Sequence, residues 1–295
     1  MQDLKKEIGD KIVEKRPKLG ASSIKTYISI LSNIYKAMDG DGGIDFYFEN
    51  VKKILEYLET KPDPTKKTSL SALFVLSGET RYREAMMEII KKVNDVYKTQ
   101  TKTAKQEENW VSADEVKAVY EKQLDTALQM LSKKNIFNEG KFIQFLLVAF
   151  LSGVAGIPPR RSMDYGEMKI RNYDPKTDNY YKAGKFYFNK YKTSGTYGLQ
   201  TLDVPKQLNS IIKKWIKLNS TDYMLYSSNK QKLSSPQINR ILNNAFGDKN
   251  ISTSMLRHIF LTDHYKDVPA IAHMGELAIS MGHSVSQSME YAKKK

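Results

Sequence analysis

Apolar positions recur at helical spacing through the first hundred residues. In 22–35 they fall at 24, 27, 28, 31, 34 and 35, which makes one stripe along a helix that begins at a serine. The segments 48–58 and 83–97 have similar patterns, and a further apolar helix runs up to Leu76. These helical patterns are interrupted by a glycine-rich segment at 39–43 and a proline-containing segment at 62–64. The pattern predicts an all-helical unit of four or five short helices.

A polar stretch then separates this unit from a second one. Residues 98–108 read KTQTKTAKQEE and predict an interdomain linker. Ser112 with Glu115 three residues later is typical of a capping box at a helix start. The run FIQFLLVAFL at 142–151 is almost fully apolar, so it predicts the central buried helix of a second domain.

Short β-type runs at 185–189 and 199–204 flank Thr193-Ser194-Gly195 and predict a small antiparallel sheet. Helical patterns return at 207–218, 235–246, 254–265 and 268–281. We therefore expect a mainly α fold with a small antiparallel β-sheet. Its predicted domains are 1–103 and 104–295, joined by the linker at about 98–108.

The charge of the chain indicates a polyanionic partner. The net charge is +14 with a pI near 9.5. Residues 1–103 carry 19 Lys+Arg against 15 Asp+Glu, and the remainder carries 28 against 18. Both parts are basic, and nucleic acid is the polyanion that such a balance favours. The alternative is a lysine-rich solvated surface encoded by an AT-rich genome.

Composition excludes several other classes. There is no run of 18 apolar residues, so no transmembrane helix is expected, and the first residues lack the apolar region of a signal peptide. Zero cysteines exclude disulfides, cysteine nucleophiles and thiolate metal sites. The four histidines lack metal-ligand spacing. We expect an intracellular protein that needs no metal or cofactor and contacts no membrane.

An arginine pair after the apolar helix is the first candidate for chemistry. Pro158-Pro159 restrict the backbone before Arg160 and Arg161, and the residues after them can open a helix. A helix start and a planar guanidinium both suit a phosphate. The alternative is an ordinary surface loop, in which the arginines meet solvent or a carboxylate.

Two further clusters could join such a site. Lys192 lies between the predicted strands, where a lysine can enter a DNA groove or donate a proton to a leaving oxygen; the alternative is a solvated lysine. Ser254 and Arg257 are three apart, hence neighbours on the face beside apolar Leu256, Ile259 and Phe260. The alternative there is a structural ion pair.

The last cluster lies near the end of the sequence. His283 follows Gly282, and a neutral histidine can donate or accept a proton near pH 7. Tyr291 follows eight residues later and is one of 18 tyrosines. An ordinary capping histidine is the alternative.

In this order the clusters resemble the catalytic domain of tyrosine recombinases, the phage-integrase family. The family order is Arg, Lys, His-x-x-Arg, Gly-His, Tyr, and this chain has Arg161, Lys192, Ser254-x-x-Arg257, Gly282-His283 and Tyr291. The resemblance covers essentially the whole chain, because the helical first domain resembles the family's core-binding (SAM-like) domain. The form PPRR followed by Asp164-Tyr165 is similar to integrases of large eukaryotic DNA viruses, virophages and related mobile elements.

The resemblance implies a C-shaped clamp on double-stranded DNA that cleaves and rejoins strands through a 3′-phosphotyrosine, without ATP or metal. It implies catalytic roles for two arginines, the hairpin lysine, the histidine and the tyrosine nucleophile. Arg161 matches the first arginine because Asp164 lies three positions later, and Arg160 is the alternative if the register differs by one. A homo-tetramer on two attachment sites, acting with DNA in a host nucleus, a virus factory or a prokaryotic cytoplasm, is also implied.

Three departures from the family pattern keep alternatives open. Ser254 stands where the family has His or Lys, although His258 lies one turn further on the same side. The step from His283 to Tyr291 is one residue shorter than usual, and four residues follow the tyrosine, whereas many relatives dock a longer tail on a neighbour. The alternatives are a catalytically weakened DNA-binding protein of the same fold and a type IB topoisomerase.

Overall fold

The computed structural model describes residues 1–247, 249–281 and 284–285. Contacts divide the described chain into two compact units. One contains Met1–Thr101 together with the described residues from Ala270 onward, and the other is Lys102–Pro269. The predicted functional boundary between residues 103 and 104 stays a prediction.

The first unit is helical and encloses its own core. Its elements are α1 (Gln2–Lys15), α2 (Ala21–Ala37), α3 (Phe46–Glu49), α4 (Val51–Glu59), α5 (Asp63–Ser77) and α6 (Thr80–Lys98). Two buried phenols connect them, because Tyr47 Oη donates to the Leu31 carbonyl at 2.8 Å and Tyr82 Oη donates to the Tyr47 carbonyl at 3.0 Å. These bonds satisfy the polar ends of two large core side chains.

The structure departs from the predicted helices of this unit in two places. Helix α1 was not predicted, although Leu4, Ile8 and Ile12 form its buried stripe. The single helix predicted at 48–58 is wrong at its start, because Asn50 separates α3 from α4. The Asn50 side chain donates to the Phe46 carbonyl at 3.2 Å, a local bond that competes with helix continuation.

The second unit combines helices with one small sheet. Its helices are α7 (Ala104–Asn109), α8 (Ala113–Ser132), α9 (Glu139–Leu151), α10 (Ser162–Gly166), α11 (Ser194–Tyr197), α12 (Lys206–Leu218), α13 (Ser235–Ala245) and α14 (Thr253–His264). Its strands are β1 (Tyr180–Lys182), β2 (Lys185–Phe188) and β3 (Gln200–Asp203). A further helix, α15 (Ile271–Ser280), groups with the first unit. The predicted mainly α fold with a small antiparallel sheet is confirmed.

Helix α9 is the central element of the second core, as its apolar run predicts. Every residue from Phe145 to Leu151 is buried, and Phe142 stacks on Trp215 of α12 with ring centroids 5.0 Å apart. The predicted capping box is present at the start of α8, where Ser112 and Glu115 bond each other's backbone amides. The predicted linker at 98–108 is partly helical, because its residues from Ala104 onward belong to α7, which has a capping box of its own.

The sheet is antiparallel in the order β1–β2–β3. Strands β2 and β3 match the predicted runs, whereas β1 was not predicted. The turn between β1 and β2 is Ala183-Gly184, and both residues have positive φ, 50° and 84°. Phe186 and Phe188 point into the core, so the alternate residues Lys185 and Tyr187 lie on the outer face.

Within the described residues, no helix is long and apolar enough to cross a membrane.

Gly153, just after α9, permits the close approach of α14. Its φ is +87°, and an added Cβ would lie 2.2 Å from Cδ2 of Phe260. We expect Gly153→Ala to lower the free energy of unfolding by about 2–4 kcal/mol, from left-handed strain and overpacking. Urea unfolding followed by far-UV circular dichroism measures this change.

Gly140→Ala, at the other end of α9, is the matched control. Its nearest atom to an added Cβ would be Asn138 Oδ1 at 3.4 Å, an ordinary contact. The control should keep or slightly raise stability, because alanine is favoured over glycine in a helix. Equal unfolding midpoints for the two variants would contradict this expectation and would show that Phe260 moves to make room for the added methyl group.

Candidate functional site

The segment that connects α9 to α10 carries the arginine pair. Gly153 and Gly156 have positive φ of 87° and 77°, which lets the chain turn sharply after the buried helix. Phe260 of α14 packs against Gly153, and Arg257 lies three residues before Phe260 on the same helix. The contact between Gly153 and Phe260 therefore places the helix of Arg257 against the start of the segment that ends at Arg161.

Arg160 is held inside the second unit by four groups. Its Nε donates to Asp164 Oδ2 at 2.8 Å, and its Nη1 donates to Gln200 Oε1 at 2.7 Å. Its guanidinium carbon lies 4.0 Å from the ring centroid of Phe188 and 5.0 Å from that of Tyr191. The side chain therefore joins the start of α10 to β2, β3 and the loop between them.

Burial raises the pKa of Asp164 above its ordinary value, and the guanidinium groups of Arg160 and Arg161 oppose that increase. The carboxyl side chain is 4% exposed. Removing a carboxylate from water disfavours its charged form unless a cation compensates. Arg160 is the cation that makes a hydrogen-bonded ion pair with it.

Arg161, the residue predicted as the first catalytic arginine, has a different environment. It is the N-cap residue of α10 and is partly exposed. Within the described part of the chain, its side chain has no hydrogen bond or ion pair. Asp164, on whose spacing the choice of Arg161 rested, pairs with Arg160 instead. Of the two adjacent arginines, Arg161 is the one whose guanidinium is available to a ligand.

Lys192 lies in the loop between β2 and β3 and is exposed. Tyr191, the preceding residue, donates from Oη to the Gly198 carbonyl at 2.7 Å and so closes this loop. Lys190 is bound to Glu167 at 2.8 Å, whereas Lys192 has no ion pair among the residues that the structure describes. The contact of Arg160 with Tyr191 connects the loop of Lys192 to the segment of Arg161.

Helix α14 presents the serine and arginine of the third cluster. Leu256 and Ile259 are buried as predicted, while Ser254 is exposed and Arg257 is partly exposed. His258 faces solvent, as Ser254 does. Like Arg161, Arg257 has no hydrogen bond or ion pair in the described ranges, so the alternative of a structural ion pair finds no support there.

The structure thus brings three of the predicted clusters onto elements that contact one another. Arg160 connects the arginine segment to the lysine loop, and the contact of Gly153 with Phe260 connects it to α14. Helix α10 is five residues long, so the helix start predicted after the prolines is present but short. The predicted residues Gly282, His283 and Tyr291 lie outside the described residues.

Sequence reasoning missed the role of Arg160 and its partner Gln200. The separation of four residues between Arg160 and Asp164 is the signal that could have found the pair, because a helix opening after the prolines would bring side chains at i and i+4 together. In the structure Arg160 lies just before the N-cap of α10 and still reaches Asp164. No spacing in the sequence points to Gln200, because its hydrogen bond with Arg160 joins residues 40 positions apart. Among the described residues, no group of three His, Cys, Asp or Glu side chains could hold a metal ion.

Replacing Arg160 tests how much the buried pair contributes. We expect Arg160→Met to lower the free energy of unfolding by about 3–5 kcal/mol, because Asp164 stays buried without its partner. The loss should grow as pH rises from about 4 to about 7, since the unfolded chain releases the Asp164 proton at a lower pH than the folded chain.

Asp164→Asn in the Arg160→Met background is the matched control. The double variant carries no buried carboxylate at this position, so it should be more stable than Arg160→Met and should lose the added pH dependence. Thermal unfolding at several pH values measures both quantities. A pH-independent difference between the two variants would contradict the role of Asp164.

Comparison with known proteins leaves the family unassigned. No protein-family model matches the chain, and no curated protein matches it. Among solved structures, the chain is similar to the crystal structure of XerA recombinase, with a TM-score of 0.36 and 15% sequence identity. That likeness covers 98% of this chain and 94% of the other. A likeness of this extent does not place the chain in a family.

Proposed function

We propose that this protein is a site-specific DNA recombinase that cleaves and rejoins strands through a 3′-phosphotyrosine at Tyr291. One observation carries the proposal. Three cations that the motif order assigns to the phosphate, Arg161, Lys192 and Arg257, have side chains that make no hydrogen bond or ion pair with the described residues, and they lie on elements that contact one another. The net charge of +14 supports a polyanionic substrate.

In the proposed cleavage step, Oη of Tyr291 attacks the scissile phosphorus. The bond from phosphorus to the 5′ oxygen breaks, and that oxygen keeps the electron pair and takes a proton from Lys192. The phenol proton passes to His283 or to water, because a tyrosine with an ordinary pKa near 10 needs a base. Rejoining reverses these steps when a 5′-hydroxyl from a partner strand attacks the phosphotyrosine.

The arginines would act on the transition state. Negative charge grows on the non-bridging oxygens as the phosphorus becomes five-coordinate, and two guanidinium groups from Arg161 and Arg257 can bind those oxygens. Ser254, exposed one turn before Arg257, can add a hydrogen bond to the same phosphate. No step of this scheme draws on ATP or a metal ion.

The wider proposal concerns partners and domains. We propose that residues 1–103 form a core-binding domain and 104–295 a catalytic domain, which together clamp double-stranded attachment sites. Strand exchange needs four active sites, hence a homo-tetramer on two DNA sites. Integration of a viral or mobile genome inside a host cell is the role suggested by the PPRR motif and its following Asp164-Tyr165.

A non-cleaving DNA-binding protein of the same fold is the second candidate, and Ser254 is the observation that favours it. Serine is a poor acid or base, so this position lacks the proton-handling group that the family pattern has. A type IB topoisomerase would share the chemistry but act as a monomer that relaxes supercoils.

Covalent capture separates these functions. The protein is incubated with nicked suicide DNA that carries its attachment site, and a denaturing gel should show a protein–DNA adduct. Tyr291→Phe should bind the same DNA and form no adduct, because it lacks the nucleophilic oxygen. Absence of an adduct on a verified attachment site would exclude strand cleavage by this protein. Relaxation of supercoiled DNA without recombination would favour the topoisomerase.

Arginine variants test the assignment of charge stabilisation. We expect Arg161→Ala and Arg257→Ala each to slow adduct formation by about 10²–10³-fold, with a much smaller loss of duplex affinity. Arg240→Ala is the matched control, because Arg240 is exposed on α13 and also lacks a partner in the described ranges. Equal losses of binding and cleavage in Arg161→Ala would mean that this arginine only holds DNA.

A further inference from the structure

Three tyrosines form a stacked column against the outer face of the sheet. The rings of Tyr173 and Tyr180 are 4.3 Å apart at 4°, and those of Tyr180 and Tyr187 are 4.5 Å apart at 5°. We call these residues the tyrosine column. Rings that are this close to parallel present flat faces at both ends of the column.

The pairing of the strands produces the column. Tyr180 of β1 lies opposite Tyr187 of β2, and neighbouring strands are about 4.8 Å apart, close to the observed ring spacing. Tyr173 covers the other face of Tyr180, which is 7% exposed. Burial raises the pKa of the Tyr180 phenol, and its two stacked neighbours raise it further.

The column ends at Tyr187, on whose far ring face no other aromatic ring of the described residues stacks. The residue opposite Tyr187 on that side is Thr201 of β3, which is exposed. Strand β3 is the edge of the described sheet. Tyr187 is partly exposed, and a threonine side chain is shorter than a phenol ring, so the outer part of the Tyr187 ring has no stacking partner among the described residues and forms the open face of the column.

Positive charge lies beside this open face. Lys182 and Lys185 are directly opposite each other on the same outer face as Tyr187. Asp203 pairs with Lys185 at 3.1 Å, while Lys182 is exposed and has no ion pair in the described chain. Because Asp203 already offsets the charge of Lys185, Lys182 is the lysine of this facing pair that is left to bind an anion.

We propose that the open face of Tyr187 is a stacking site for one unpaired nucleobase, whose strand binds through a phosphate to Lys182. A nucleotide combines the flat ring and the anion that these side chains accept, and aromatic stacking with basic side chains is how proteins bind single strands. This site uses none of the residues assigned to strand cleavage. A peptide added to the edge of β3 would instead use backbone groups of that strand.

Equilibrium binding of a fluorescently labelled oligo-dT strand, followed by anisotropy, tests the site. Tyr187→Phe keeps the ring and should bind like the wild type, whereas Tyr187→Ala should bind about tenfold or more weakly. Thr201→Leu should also weaken binding, because its branched side chain covers the open face of Tyr187 without offering a flat ring of its own. That exposed substitution removes no core contact, so it separates blocked stacking from a damaged fold.

Two comparisons complete the test. Affinity for the abasic form of the strand should be low and unaffected by Thr201→Leu, and Lys182→Gln should reduce the salt dependence of binding. Undiminished oligo-dT binding by Thr201→Leu would overturn the proposal, as would equal losses for oligo-dT and duplex DNA in Tyr187→Ala. These strands contain no attachment site, so the result is independent of whether Tyr291 cleaves DNA.

Discussion

The buried pair of Arg160 and Asp164 is the interaction on which the arrangement of the candidate site depends. A carboxylate at this depth is costly to charge, and the guanidinium that offsets the cost also reaches Gln200 and two aromatic rings. One side chain therefore holds the start of α10, the sheet and the loop of Lys192 in a single arrangement. Arg160 is directed inward and makes the hydrogen-bonded pair with Asp164. Its neighbour Arg161, at the helix start, acts on that carboxylate through its charge but makes no ion pair within the described residues.

The arginines and lysines of the second unit differ in whether their side chains already have a partner within the protein. Arg171 donates to the carbonyls of Asn219 and Thr221 at 2.9 and 2.7 Å, and so fixes the chain that follows α12. Arg161, Lys192 and Arg257 have no such partner in the described chain. An arginine or lysine that already has a partner must break that interaction before it can bind a phosphate. The cations without a hydrogen bond or ion pair are therefore better placed to bind one.

Most of the longer helices could be predicted because amphipathic stripes and caps are local, although α1 was missed despite its stripe. The stripe of α2, the apolar run of α9 and the capping box of Ser112 follow from spacing alone. Strand β1 could not, since three residues give too short an alternation and its turn uses Ala183 rather than the usual Asn or Asp. The candidate site also combines features that the sequence predicts with features that it does not. Sequence order selected its cations, whereas the partner of Asp164 depends on the direction in which two adjacent side chains point.

Side chains on strand β2 point alternately inward and outward, and this alternation links the proposed cleavage site to the proposed stacking site. Phe186 and Phe188 face the core, and Phe188 supports the guanidinium of Arg160. Lys185 and Tyr187, one residue away, face outward. A shift of one residue in the pairing would reverse both faces, burying a lysine and removing the ring under Arg160. The same register that holds the loop of Lys192 in place therefore also sets Tyr187 against Tyr180 and leaves its other face open.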